Sequence, residues 1–434
     1  PAVISMSQDV QGEAYDYPEI FFEEKIHEIR RIHPDPNQIQ KAADKLKQSK
    51  QPIIISGGGV LYSEAEEEIS AFAKKHNIPV TATVMGIGCM NKDDPFYISA
   101  IGCLGEGSSN NLATDTDLAL AVGTKLGDFT TGSWTNFENE NFQLVSINTS
   151  RFDTTKHRAT PVVSDAKIGL QELSKALGDW KAPDVWYQRS IQERNKWDEY
   201  VAKESGPTNQ ELPSYAHAVG AVYRNSDPSD IVVTAAGGLV GEVVQIWKPK
   251  ELNTFETEWG FSCMSYEISG ALGIKMAKPD QDVIVFVGDG SYLLQNSDIY
   301  SSVLYDKKLI IVVCDNGGHM VINRLQLAKG GNEYLCNLNT ARATNVQFVD
   351  FEAHAKSMGA NGETVKSISE LEAAFKRAKE SDKTYVIAMK TDGYEWLEGT
   401  AFWESPTLEV DKTEGNKAAL EEFLEGKNKQ RKGV

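Results

Sequence analysis

The sequence predicts an α/β protein with two doubly wound parallel sheets, one in a central domain and one in a domain nearer the carboxyl terminus. Two continuous apolar runs, at residues 283–287 and 309–313, are rich in β-branched residues, which is typical of strands buried on both faces of a parallel sheet. The stretch between them, residues 292–305, has the length and pattern of a crossover helix. A similar alternation in the first half of the chain predicts the other sheet.

The first sheet is expected in a central Rossmann-like domain over residues 37–180. Its first strand, within residues 51–60, ends in three consecutive glycines, but these lack the GxGxxG spacing of a dinucleotide site. No acidic residue follows the second strand near residues 81–83, so a nicotinamide oxidoreductase is disfavoured. Whether this domain holds a ligand is left open. Its predicted elements are helices at residues 37–49 and 63–76 and strands at residues 78–83, 118–123 and 142–148.

The second sheet is expected in a domain over residues 211–395. A strand and a glycine-rich turn are predicted at residues 230–242, where Gly237 and Gly238 would let the backbone approach a ligand closely. A tight turn without a ligand is the alternative. A helix at 369–380 and a strand at 384–390 complete this domain. The other segments are a strand-like remnant of a preceding domain (1–20), a helical linker (21–36), a helix with a linker (181–210) and a tail (396–434) that is unassigned apart from its aromatic cluster.

Composition narrows the classes of partner and compartment. The net charge of −18 argues against nucleic acid and anionic membranes as main partners. Five widely spread cysteines give no disulfide framework and no metal-binding spacing, which predicts a reducing, cytoplasmic setting. The sequence contains no run of about 18 or more apolar residues, so we expect no membrane-spanning helix.

Polar residues follow both apolar runs of the second sheet. Asp289 and Asn316 lie 27 residues apart, each just past the end of a predicted strand. Because neighbouring parallel strands end at the same edge of a sheet, we expect both side chains at the carboxyl edge, where such folds bind ligands. With the carbonyl of Gly318 they form an oxygen-only set that suits Mg²⁺ completed by phosphate and water. Ordinary βα turns are the alternative interpretation of either motif alone.

The turn around Asp289 has the features of a diphosphate site. Gly288 and Gly290 flank the aspartate, and the backbone N–H groups of Gly290 and Ser291 at the start of a helix can hold anionic oxygens. GDGS followed about 27 residues later by Asn resembles the signature of thiamine diphosphate (ThDP) enzymes related to acetolactate synthase. That resemblance implies ThDP and Mg²⁺ as cofactors. Met264, 25 residues before Asp289, matches the bulky residue that in this family holds the cofactor bent; a core methionine is the alternative.

Further segments narrow the resemblance to one branch of this family. QDVQGEAYDYP, FTTGSWTNF, RFDTTKH, CMSYEISGALG and VINRLQLAKGG are similar to the 3D-(3,5/4)-trihydroxycyclohexane-1,2-dione hydrolases of myo-inositol catabolism. This implies hydrolytic cleavage between the two carbonyl carbons of a cyclic polyol dione, giving 5-deoxy-glucuronate, by a homodimer or a dimer of dimers. Ser265 stands where the branch usually has glycine, and residues 317–320 depart from its usual run. These departures concern the substrate pocket rather than the metal site.

Polar residues that follow Asn316 and Gly318 in the sequence are candidates for substrate contacts. Asn323, Arg324 and His319 are expected to donate hydrogen bonds to the polyol; a surface ion pair for the arginine and a turn role for the histidine are the alternatives. In this family the activating glutamate lies on a pyrimidine-binding domain of the opposite subunit, and we expect that domain to precede residue 1. The 434-residue chain alone would then bind Mg²⁺–ThDP weakly and not turn over. An acetolactate synthase-like carboligase and a non-catalytic ThDP-binding subunit are the alternative functions.

Overall fold

The computed structural model describes residues 2–28, 30–397, 399, 401–410 and 413–431. The chain divides into two units, Pro1–Arg31 and Ile32–Val434. In the first unit the described residues form two 3₁₀ turns, Val10–Gly12 and Glu19–Phe21, and nearly all of them are exposed. The ring of Tyr17 contacts neighbouring aromatic rings of the same unit, with a centroid distance of 4.9 Å to that of Phe21.

Two expectations for the start of the chain are wrong. The described residues 2–20 contain no strand, and residues 22–28 and 30–35 contain no helix where a helical linker was expected. A short helix depends on packing an apolar face, and the side chains of residues 2–28 pack no such face because all of them are exposed. In addition, Pro34 disfavours a helical conformation at the residue before it.

The unit Ile32–Val434 contains the expected alternation of strands and helices, with the following strands: β1 (Pro52–Ser56), β2 (Val80–Ala82), β3 (Tyr97–Ala100), β4 (Leu118–Val122), β5 (Gln143–Asn148), β6 (Thr160–Val163), β7 (Ile231–Thr234), β8 (Phe255–Thr257), β9 (Val283–Gly288), β10 (Ile310–Asp315), β11 (Asn361–Val365) and β12 (Tyr385–Lys390). The helices are α1 (Pro36–Gln48), α2 (Gly58–Tyr62), α3 (Glu66–His76), α4 (Gly107–Asp115), α5 (Asp128–Thr131), α6 (Arg151–Thr155), α7 (Ala166–Leu177), α8 (Asp184–Glu204), α9 (Tyr215–Asn225), α10 (Leu239–Ile246), α11 (Tyr266–Ala277), α12 (Asp289–Leu294), α13 (Ser297–Leu304), α14 (Met320–Ala328), α15 (Phe351–Ser357), α16 (Ile368–Glu380) and α17 (Glu414–Lys429).

These strands form two six-stranded parallel sheets, which confirms the predicted fold class. The first sheet has the order β3-β2-β1-β4-β5-β6 and the second the order β11-β12-β10-β9-β7-β8. In the second sheet β9 lies between β10 and β7, so the turns after these three strands meet at one edge. Central strands are buried along their length, as in β9, where Val283 through Val287 are buried. The predicted boundaries between domains stay predictions.

Two of the three glycines after β1 allow a close approach between two turns of the central sheet. A Cβ atom on Gly57 would lie 2.4 Å from the carbonyl oxygen of Gly123, and one on Gly59 would lie 2.6 Å from the Cα of Gly123. Gly123 itself follows β4, the neighbour of β1. Packing therefore accounts for Gly57 and Gly59.

Several elements differ from the prediction. The helix expected over residues 292–305 is two helices, α12 and α13, separated at Gln295 and Asn296. The Asn296 side chain donates a hydrogen bond to the carbonyl oxygen of Tyr292, at 3.2 Å, and so competes with the helical hydrogen bond there. The strands β3, β6, β8 and β11 were not predicted. The unassigned tail contains α17, which begins with a hydrogen bond from Asn416 N to the Thr413 side chain. None of the helices in the described part of the chain combines the length and the hydropathy that a membrane-spanning segment requires.

Candidate cofactor-binding site

A cavity of about 240 Å³ lies at the carboxyl edge of the second sheet, where the turns after β7, β9 and β10 meet. All nine residues predicted to bind the cofactor line this cavity, although they lie as far as 81 positions apart in the sequence. They are Gly237, Gly238, Met264, Gly288, Asp289, Gly290, Ser291, Asn316 and Gly318. Tyr215, His319 and Trp396 also line it. The parallel register pairs Cys314 with Gly288, so the chain leaves β9 and β10 at the same level and delivers both polar motifs to one place.

Asp289 is the only carboxylate among the described residues that line this cavity. Its side chain is buried, and burial raises its pKa to about 7, helped by the negative charge of Asp315. The backbone N–H groups of Gly290 and Gly318 oppose this rise by donating to the carboxylate. The carboxylate is therefore poorly compensated by the protein itself, and a cation in the cavity would stabilise its charged form.

Asn316 contributes a buried oxygen that has no partner. Its amide nitrogen donates a hydrogen bond to the hydroxyl oxygen of Tyr215 at 2.7 Å, whereas its Oδ1 atom accepts none from the described residues. An unsatisfied buried acceptor of this kind costs about 1–3 kcal/mol, so it needs an explanation. A metal ion bound at Oδ1 would supply the missing partner.

Gly318 holds the third predicted metal-binding oxygen in a conformation that favours glycine. Its φ is +147°, and a Cβ atom there would lie 2.1 Å from the carbonyl oxygen of Cys336. The segment around Cys336 pairs with the turn after β10. The carbonyl oxygen of Cys336 accepts a hydrogen bond from His319 N at 2.8 Å, and Leu338 N donates one to the carbonyl oxygen of Gly317, also at 2.8 Å. These hydrogen bonds hold the backbone conformation of the turn after β10.

Ser291 ties the diphosphate motif to the segment that carries Met264. Its hydroxyl accepts a hydrogen bond from Ser265 N at 2.7 Å and donates one to the buried carboxylate of Glu267 at 2.8 Å. Burial raises the pKa of Glu267. Met264 and His319 both lie close to Gly290: a Cβ atom there would be 3.6 Å from Met264 Cε and 2.8 Å from His319 Cε1.

Trp396 forms part of the cavity wall. A Cβ atom on Gly238 would lie 2.0 Å from Cζ3 of this ring, and the ring also meets that of Tyr215 edge-to-face at 5.4 Å. The prediction ended the domain one residue before Trp396 and assigned it only to an aromatic cluster. Neither Tyr215 nor Glu267 carried a sequence signal, because both reach the site through tertiary packing from helices α9 and α11.

The structure separates the three residues expected to contact substrate. His319 lines the cavity, whereas Asn323 and Arg324 do not, and the hydrogen bonds expected from all three residues to the substrate stay a prediction. Both line an adjoining cavity of about 460 Å³ that shares Trp396 as a wall. The guanidinium of Arg324 lies 5.2 Å from the ring of Trp396, and the Asn323 amide donates to Glu333 at 2.9 Å. The helical turn of α14 carries these two side chains away from the turn that holds His319.

Comparison with known proteins gives the class to which this fold and site belong. The family model described as the thiamine pyrophosphate enzyme central domain matches residues 39–173. The model for the thiamine pyrophosphate enzyme C-terminal TPP binding domain matches residues 235–389, which include all nine residues predicted to bind the cofactor. The fold and the site are those of a thiamine pyrophosphate enzyme.

Relatives over nearly the whole chain narrow the class further. The 3D-(3,5/4)-trihydroxycyclohexane-1,2-dione hydrolase of Halalkalibacterium halodurans is 34% identical over 97% of this chain and 70% of its own length. The proteins with the same name from Shouchella clausii and Bacillus subtilis are 35% and 33% identical, over 97% of this chain and 71% and 70% of their own lengths. The chain belongs to the family of these hydrolases.

The buried charge of Asp289 predicts a stability effect. Because the pKa is raised to about 7 in the folded protein, ionised Asp289 destabilises the fold increasingly as pH rises from the unfolded pKa of about 3.9, and fully above about 7. Without metal or cofactor, Asp289→Asn should therefore increase the free energy of unfolding by about 2–4 kcal/mol at about pH 8 and by less than half of that at about pH 5.

Urea denaturation in the presence of a chelator measures this difference. Asp280→Asn, at an exposed aspartate, is the control and should change the free energy of unfolding at neither pH. A variant Asp289→Asn that is no more stable than the wild type at the higher pH would show that the carboxylate is well compensated in the free protein.

Proposed function

We propose that the protein is a ThDP-dependent hydrolase that opens the ring of 3D-(3,5/4)-trihydroxycyclohexane-1,2-dione by carbon–carbon cleavage, giving 5-deoxy-glucuronate in inositol catabolism. The observation that carries the proposal is the meeting of the diphosphate and metal motifs in one cavity of a chain whose relatives bear this hydrolase name. Bound ThDP supplies the nucleophilic carbon that attacks a carbonyl group and stores the electron pair left by bond cleavage.

Mg²⁺ is proposed as the metal, held by Asp289, Asn316 and the carbonyl oxygen of Gly318. The described residues contain no group of three or more His, Cys, Asp or Glu side chains that could hold a metal ion. The proposed site therefore combines one carboxylate with an amide oxygen and a backbone carbonyl oxygen. The support is the unpartnered Asn316 Oδ1 and the poorly compensated Asp289 in the same cavity. One carboxylate and neutral oxygens suit a small, hard cation that shares phosphate oxygens.

The backbone around Asp289 is proposed to hold the diphosphate. The N–H groups of Gly290 and Ser291 lie in the first turn of α12, and Gly237 and Gly238 form the turn after β7, which also lines the cavity. Met264 would support the rings of the cofactor, since its Cε lies beside Gly290. His319 is the best placed of the three substrate candidates to donate a proton or hydrogen bond to a reacting oxygen. Asn323 and Arg324 are proposed for the hydroxyl groups farther from the reacting carbonyls.

The choice between hydrolase and carboligase is tested by supplying the two substrates separately. The protein as its gene encodes it, with Mg²⁺ and ThDP, is incubated with the cyclic dione or with pyruvate, and the products are identified by mass spectrometry. We expect 5-deoxy-glucuronate from the dione and no acetolactate from pyruvate. Acetolactate formation without ring opening would replace the hydrolase by a carboligase, and no product from either would favour a non-catalytic ThDP-binding subunit.

Met264 provides a test of the cofactor geometry. Met264→Ala should lower kcat about 10- to 100-fold, because loss of support for the bent cofactor misplaces its reactive carbon, while the Kd for ThDP changes by less than about threefold. The matched control is Met276→Ala, at an exposed methionine of α11, which should change neither quantity. Steady-state kinetics and calorimetric titration measure the two. Equal losses in both would show that Met264 only fills the core.

A homodimer, or a dimer of dimers, is proposed as the assembly. Exposed apolar side chains follow the diphosphate motif closely along α12 and α13, at Leu293, Leu294, Tyr300 and Leu304. An apolar surface of this kind is typical of a protein interface. A cytoplasmic location is also proposed, because all five cysteines are free and Cys263 is exposed, which fits a reducing compartment.

Charge placed on this surface should break the assembly. We expect the wild type to sediment as a dimer or larger, and the double variant Leu294→Asp with Leu304→Asp to sediment mainly as a monomer, because two carboxylates would be buried without partners. The control is Val185→Asp at an exposed apolar residue of α8, which should leave the assembly intact. Sedimentation velocity decides, and an assembly unaffected by the double variant would place the interface elsewhere.

A further inference from the structure

The Asn316 side chain can serve a cation with only one of its two ends. Its Oδ1 is an acceptor, whereas the NH₂ group carries partial positive charge and would repel a metal. Rotation of the amide by half a turn exchanges the two ends, so some other group must set the orientation. In the structure the amide nitrogen donates to the Tyr215 hydroxyl oxygen at 2.7 Å, and Oδ1 is buried without a partner among the described residues.

Tyr215 is itself held in place by the capped start of its helix and by the packing of its ring. It is the first residue of α9, directly after Ser214, whose side chain accepts from His217 N, while the ring of His217 accepts from Ser214 N at 3.2 Å. The Tyr215 side chain is 4% exposed, and its ring meets that of Trp396 edge-to-face at an interplanar angle of 88°. A capped helix start and a packed ring leave the hydroxyl little freedom to move.

We propose that Tyr215 is a positioning residue, which turns the Asn316 amide so that Oδ1 faces the cation of the proposed ThDP site. This inference rests on the proposed function for the identity of the cation. It assigns no contact between Tyr215 and the metal: the hydroxyl acts through the Asn316 amide by accepting its N–H. A phenylalanine at this position would keep the ring packing against Trp396 and remove only the acceptor.

The test is the affinity of the full chain for Mn²⁺ in the presence of saturating ThDP, measured from the electron paramagnetic resonance signal of free Mn²⁺. Tyr215→Phe should raise the Kd for Mn²⁺ about 3- to 10-fold, which corresponds to the loss of one hydrogen bond. The matched control is Tyr223→Phe on the same helix, which removes a hydroxyl that donates to the carbonyl oxygen of Lys248 at 3.0 Å, and which should leave the Kd unchanged.

A second background separates orientation from a general structural effect. In Asn316→Asp both side-chain oxygens can bind a cation, so orientation no longer matters, and adding Tyr215→Phe should change the Kd for Mn²⁺ by less than about twofold. An equal loss in the wild-type and Asn316→Asp backgrounds, or no loss from Tyr215→Phe alone, overturns the positioning role while the metal site stands. If the wild type binds no Mn²⁺ with ThDP present, the metal site itself fails and the role of Tyr215 fails with it.

Discussion

The parallel pairing of β9 with both β7 and β10 is the constraint on which the site depends. Each strand ends at the same edge of the sheet, so three turns that are far apart in the sequence are delivered to one cavity. The turn after β9 carries Asp289, that after β10 carries Asn316 and Gly318, and that after β7 carries the glycine pair. A break in this pairing would separate Asp289 from Asn316 and Gly318.

Two buried polar groups of the cavity lack enough hydrogen bonds or opposite charge from the protein itself. Asp289 is buried near a second carboxylate, which raises its pKa, and Asn316 Oδ1 is buried without a hydrogen bond from the described residues. Both features are unfavourable in the free protein and become favourable beside a divalent cation. Burial of these two groups lowers the stability of the free protein. A bound cation would remove this unfavourable contribution, and cation binding would therefore stabilise the fold.

Sequence reasoning predicted the parts of the site that depend on local pattern. Continuous β-branched runs identify buried parallel strands, and the residues after them must then meet, so Asp289 and Asn316 were found from spacing alone. Tyr215 and Trp396 were missed because they reach the cavity from distant segments through packing that leaves no local pattern. Spacing also did not show that Arg324, a few residues after Gly318, lines an adjoining cavity beside Trp396, because the helical turn of α14 sets that direction. The break between α12 and α13 coincides with hydrogen bonds from the Asn296 side chain to backbone carbonyls of α12, which no periodicity reveals.

The central claim is that Asp289, Asn316 and Gly318 of this chain hold a metal ion at the diphosphate of ThDP. Crystals grown with Mn²⁺ and ThDP test it through the anomalous scattering of manganese. The account predicts one strong anomalous peak at coordination distance, roughly 2.0–2.3 Å, from Asp289, from Asn316 Oδ1 and from the carbonyl oxygen of Gly318. A peak elsewhere, or diphosphate density in the cavity without metal contact to Asp289 and Asn316, would contradict it.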